Sequence, residues 1–174
     1  MATTVKIDLA EAGAYFGQAM PAAIRKAALR GLLSAATRLH QIIITQIIPA
    51  RSPQPVDRGV FLAGWRAYLS TEGGQECAII ENRELHAAVI ENGVRAANVK
   101  GGRRVRAILA EWALRKQYVG NAAEANAFAF NLIRKMKRRG IFNGGQGFGI
   151  LREATDSYAP RVLAEEVARE LAAM

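Results

Sequence analysis

Two histidines, one cysteine and fifteen carboxylates are the side chains from which this 174-residue chain would have to build acid–base, nucleophilic or metal chemistry. His40 falls within a long helical pattern and His86 within a short one. No cysteine or second histidine stands at ligand spacing from either, so the sequence offers no zinc site. Cys77 sits in the apolar run of QECAII, where a buried structural thiol is expected rather than a nucleophile paired with His86. Glu81, Glu84 and Glu91 cluster around the second histidine and are expected to face solvent or pair with arginines. Asp57, in RSPQPVDRGVFLAGW, has no catalytic partner at any recognisable spacing. Neither HExxH nor a calcium-loop pattern occurs, and no cofactor is expected.

The glycine-rich stretch FNGGQGFG, residues 142–149, invites a different chemistry. Successive backbone N–H groups before a helix can cradle a phosphate. A P-loop, however, closes with Gly-Lys-Ser/Thr, and here Phe148-Gly149-Ile150 stands instead. The triplet Gly144-Gly145-Gln146 resembles the hydrolytic tripeptide of peptide release factors. That resemblance implies an RNA-associated hydrolase presenting Gln146 to a peptidyl-tRNA ester. The plainer expectation is a flexible connector whose glycines supply positive φ.

Charge is the strongest compositional signal. The net charge is +9, and residues 1–93 hold 9 Lys/Arg against 8 Asp/Glu, while residues 94–174 hold 15 against 7. Two clusters carry the excess: Arg95, Lys100, Arg103, Arg104 and Arg106, then Arg134, Lys135, Lys137, Arg138 and Arg139. Such a field attracts polyanions or an acidic protein surface, and these ten residues are the candidate contacts with a partner or a neighbouring subunit. Aromatic residues do not alternate with the clusters, which argues against a stacking platform for single strands. No helix-turn-helix or zinc-finger spacing appears. A basic DNA-binding protein, with salt-dependent affinity, stays open as a reading of the charge alone.

The elements that must position these residues follow from periodicity. TVKIDL alternates and predicts a short strand. From Pro21 to Ile48, Ile24, Ala28, Leu32, Ala35, Leu39, Ile43 and Ile47 form one stripe, predicting a long helix that Pro49 ends. FLAGWRAYLS and QECAIIEN read as two strands joined at Gly73-Gly74. ELHAAVIENG reads as a short helix through Leu85, Ala88 and Val89, ending at Gly93. VRAILAEWALRK places Val105, Ile108, Leu109, Trp112 and Ala113 at helical spacing. Asn121 and Glu124 have capping-box spacing before a helix with Ala125, Phe128, Ala129, Leu132 and Met136 inward and Gly140 at its end. A final helix runs from Ile150, with Pro160 as a kink or restart. The whole predicts one α+β domain: a small antiparallel sheet packed on a long N-terminal helix, with additional helices in the C-terminal half. Its parts are a helical spine over 8–48, a hairpin and short helix over 59–93, and a helical part over 105–174. Pro55, Asp57, Gly59 and Trp65 form the hinge out of the spine. No apolar run is long enough to span a membrane, and the start MATTVKIDLAEAG does not read as a secretory signal.

The order of these features resembles the tail-completion and head–tail joining proteins of tailed bacteriophages, the group that includes minor tail protein Z-like proteins. The residues that carry the resemblance are Pro55, Asp57-Arg58-Gly59, Gly64-Trp65, Ile80-Glu81-Asn82, His86-Ala87, Ile90-Glu91-Asn92-Gly93, Arg139-Gly140 and Phe148, spread over residues 20–174. Arg58 stands where the family usually has Thr, and Gly64 where it usually has Ser. The resemblance implies a non-enzymatic virion protein forming a homo-oligomeric ring, a hexamer or a dodecamer, at the neck or proximal tail end. It implies head-side connector and tail tube proteins as partners, with DNA in the channel as a further contact, and host cytoplasm as the place of assembly. No membrane role is implied.

Overall fold

The computed structural model describes residues 3–8, 21–51, 59–72, 75–84 and 86–174. In chain order the elements are β1 (Thr3–Asp8), α1 (Ala22–Ile42), α2 (Val60–Ala63), β2 (Trp65–Glu72), β3 (Gln75–Asn82), α3 (Ala87–Asn92), α4 (Arg103–Arg115), α5 (Ala122–Arg139), α6 (Ile150–Glu153) and α7 (Ala159–Ala172). The fold is α+β, with a three-stranded antiparallel sheet in the order β1-β3-β2 and a long N-terminal helix. The chain divides into two compact units, residues 1–91 with 149–174, and residues 92–148. The second is therefore an insertion into the first, and its limits cut across the 59–93 and 105–174 divisions expected from sequence.

In the first unit, α1 begins just after Pro21 and buries Ala28, Leu32, Ala35 and Leu39 along the expected stripe, widened by Ala27, Gly31, Ala36 and Ile42. Its last turn, Ile43–Ile47, is a π-turn in which the Ile48 N–H donates to the Ile43 carbonyl at 3.0 Å. The wider turn keeps Ile43, Ile47 and Ile48 all inside. Each such aliphatic side chain contributes about 2 kcal/mol when fully buried. One side of α1 meets the sheet and another meets α7. Gly31 is buried there because a Cβ would lie 2.7 Å from the Val167 Cα. Arg30 and Arg38 flank the same seam, pairing with Glu170 at 2.9 Å and Glu165 at 2.7 Å.

β3 is the central strand, so its residues Cys77–Asn82 are all buried. Its register with β2 runs from Trp65 opposite Asn82 to Glu72 opposite Gln75, leaving a two-residue connection at 73–74. Those two glycines lie outside the described residues. FLAGWRAYLS is not a strand throughout: Val60–Ala63 forms the helical turn α2, with Gly59 before it at φ +72°. The Asn82 side chain sets this turn, donating from Nδ2 to the Phe61 carbonyl at 2.8 Å and accepting from the Glu84 N–H at 3.0 Å. A long-range side-chain bond of this kind overrides the extended preference of Val-Phe-Leu. Pro160 does restart the last helix, through the π-turn Ala154–Tyr158 between α6 and α7.

In the second unit α4 and α5 form a helical hairpin. Asn121 caps α5 by accepting from the Glu124 N–H at 2.9 Å, as the capping spacing predicts. Gly140, at φ +79°, ends it. The inward faces match expectation at Ala113, Ala125 and Ala129 and depart from it elsewhere. Ala110 and Ala113 of α4 are buried, as are Ala125, Ala129 and Ile133 of α5, whereas Val105 and Ile108 are exposed. Leu132 and Met136 are only half-buried. The physical reason is size: an alanine face lets two backbones approach closely, and the larger apolar stripe is left turned out. Trp112, Tyr118 and Phe128 pack on one another, with ring centroids 5.1–6.3 Å apart.

Candidate partner-binding surface

The charge asymmetry is sharper in space than along the chain. Residues 92–148 hold 12 Lys/Arg against 2 Asp/Glu, a net +10, and the other unit holds 12 against 13, a net −1. The first unit uses its arginines internally. Besides the α1–α7 pairs, Arg25 pairs with Glu76 at 2.7 Å, Arg51 with Glu153, and Arg83 with Glu81 at 2.5 Å. In the second unit, Arg115 pairs with Glu111 at 3.3 Å, one turn away. Among the described residues none of the ten candidate cations makes an ion pair.

The hairpin brings the two sequence clusters together. Because α4 and α5 are antiparallel neighbours, the start of α4 lies beside the end of α5. Arg103 and Arg106 share a groove of about 600 Å3 with Arg134, Lys137 and Arg138, over a floor of Phe130 and Ile133. Arg134 and Arg138 also border a second hollow with Lys135 and Arg139. Gly101 belongs to the first groove because its Cα lies against Ile133 with no room for a Cβ. Gly102 precedes α4 and supplies no side-chain cap. An isolated bridge between Val94 and Ile141 holds Arg95 just beyond the end of α5. Sequence reading missed Phe130: it is 55% exposed among the arginines, although no aromatic residue alternates with them in sequence. Its position four residues before Arg134 is the signal that identifies it, since residues four apart share a helix face.

The glycine-rich loop supplies the positive φ expected of it and is also closely packed. Residues 143–145 form a short turn, and Gly144, Gly145 and Gly147 have φ of +66°, +90° and +74°. Gly145 packs against the strand-like segment after Gly93, where a Cβ would stand 2.9 Å from the Arg95 Cα. Its glycines serve close backbone approach as well as positive φ. The Gln146 side chain is exposed, and no catalytic partner stands at it among the described contacts.

One of the three carboxylates departs from expectation. Glu91 is 8% exposed and faces neither solvent nor an arginine. Its two carboxylate oxygens accept from the Leu151 N–H at 3.1 Å, one of them also from Arg152 N–H at 3.4 Å, and its carbonyl accepts from Gly149 N–H at 3.1 Å. Glu91 thus clamps the chain where the insertion leaves the first unit to the chain where it returns, and caps α6. Glu81 is buried too but does pair with an arginine, Arg83, as expected, and it also accepts from the Tyr68 hydroxyl at 3.0 Å. Those donors make burial of each charge tolerable.

His86 packs on Phe61 at 5.8 Å between ring centroids, while the Cys77 thiol donates to the Ser70 carbonyl at 3.5 Å, so the two engage different neighbours. No group of three or more His, Cys, Asp and Glu suited to a metal occurs among the described residues. No described helix is long and apolar enough to cross a membrane. Of the hinge residues, Trp65 is buried against Phe61 in an edge-on contact at 5.8 Å, and Gly59 is half-buried. Pro55 and Asp57 lie outside the described residues, as do Pro53 and Arg58. No family model, curated protein or solved structure matches the chain.

Proposed function

We propose that the chain is a structural virion protein of a tailed bacteriophage that forms a ring at the neck or proximal tail end and joins the tail to the head. The observation that carries this reading is the surface of the inserted hairpin. It holds ten cations without ionic partners among the described residues beside exposed Val105, Ile108, Leu114, Tyr118 and Phe130, on a unit whose own core is almost entirely alanine. A two-helix unit that keeps so much apolar and charged surface unused is suited to contact with other proteins. The ordered resemblance supplies the identity of the assembly, and the long helix with its small antiparallel sheet is the architecture that resemblance implies. On this reading the protein acts by assembly rather than catalysis. Its partners are neighbouring copies, head-side connector proteins and the tail tube, in the virion and, during assembly, in the host cytoplasm. A cyclic ring needs unlike patches meeting head to tail, and the charge difference between the two units supplies such a pair of patches. Electron microscopy of the purified chain is the test. Closed rings of uniform diameter are expected, and isolated particles of single-chain size at every concentration would overturn the reading.

A further inference from the structure

We infer that the basic end of the α4–α5 hairpin is a binding surface for the phosphodiester backbone of double-stranded DNA. This names the occupant for the cations that the preceding section treats as an assembly surface, but it does not depend on ring formation. Three observations decide the occupant. The cations are not confined to one groove: Arg134 and Arg138 belong to two adjoining hollows, and Lys135 and Arg139 extend the charge around α5. A single acidic helix seated on Phe130 and Ile133 would leave that second hollow unmatched, whereas a polyphosphate strand crossing the end of the hairpin meets both. Among the described residues no carboxylate lines either hollow, so none of them repels a phosphate there. Single-stranded sites, in turn, stack successive bases on several aromatic side chains. Here one ring, Phe130, lies in the basic groove, and Trp112, Tyr118 and Phe128 are engaged with one another instead. The apolar groove floor suits the deoxyribose face between phosphates. A surface of this type binds by counterion release and reads no sequence.

Fluorescence anisotropy of the full chain with a labelled duplex of about 30 base pairs tests this, at salt from about 50 to 200 mM. The expected slope of log K against log salt is about −6, for the seven cations of the two hollows each meeting a phosphate. Arg134→Gln with Arg138→Gln should weaken binding at least tenfold and reduce the slope by about 2. Lys26→Gln with Arg66→Gln, which removes the same charge from the other unit, should change affinity less than about twofold. Equal losses from both pairs would overturn the inference, because the chain would then be binding through net charge alone. So would tighter binding of a single strand that is lost in Phe130→Ala, or binding of an acidic amphipathic peptide with none of the duplex. The mass of the same sample, measured by light scattering, separates this from the ring. DNA binding by a monomer sinks the ring and leaves this inference standing; rings that ignore DNA do the reverse.

Discussion

Glu91 shows what one buried carboxylate does when its donors come from elsewhere in the chain. Its acceptors satisfy amides at 149, 151 and 152, some sixty positions away, so the two ends of the insertion stay together. Replacing it with Ala leaves the backbone bond to Gly149 but strands the Leu151 and Arg152 amides, and we expect a loss of about 2–3 kcal/mol in urea-induced unfolding. Glu91→Gln keeps an acceptor but loses the charge, and should cost about half as much. Equal stability of wild type and Glu91→Ala would show the clamp to be idle. His40 provides the pH dependence. Its Nε2 is buried without a partner among the described residues, and burial pushes its imidazole below the ordinary value of 6.5. The unfolded chain therefore binds this proton more readily than the fold does. Stability from this residue is fully present above pH 6.5 and is lost as pH falls through the lower folded value. Thermal midpoints at about pH 7.5 and about pH 5.5 should accordingly fall further for wild type than for His40→Gln. An identical drop in both would contradict the assignment.

At the scale of elements, close backbone approach recurs as the organising device. It brings α1 onto α7 at Gly31, and it packs the 143–147 turn onto the segment after Gly93. The second case yields a paired prediction. Gly144→Ala meets open space and pays only for its left-handed backbone, about 1–2 kcal/mol. Gly145→Ala pays that and also drives a methyl into the Arg95 backbone, for about 3 kcal/mol or more. Chemical denaturation of the two variants checks the order, and equal costs would contradict the packing. These same elements show what sequence does and does not reveal. The stripe on α1, the Asn121 cap, Gly140 and Pro160 were legible because each acts through neighbours within a few residues. The α2 turn was not, because Asn82 fixes it across twenty-one positions. The exposure of Val105 and Ile108 was not, because a helical stripe says which residues share a face and not which face meets its neighbour.

For the whole molecule, the sequence told which half was basic but not that the entire excess belongs to one inserted unit. The candidate cations were all visible as two runs. The meeting of five of them in one groove depended on the antiparallel hairpin, and Phe130 joined them only through the helical spacing to Arg134. Ten like charges gathered at one end of a small unit repel one another, and an anionic or complementary partner relieves that repulsion. The first unit, where most arginines pair with carboxylates, offers a contrasting surface. Assembly through unlike patches is what the proposed role requires of the molecule. Size-exclusion chromatography with light scattering on the purified full chain measures it most directly. A single species at the hexamer or dodecamer multiple of 18.9 kDa is expected. A sharp 18.9 kDa species that persists as the protein is concentrated would contradict it.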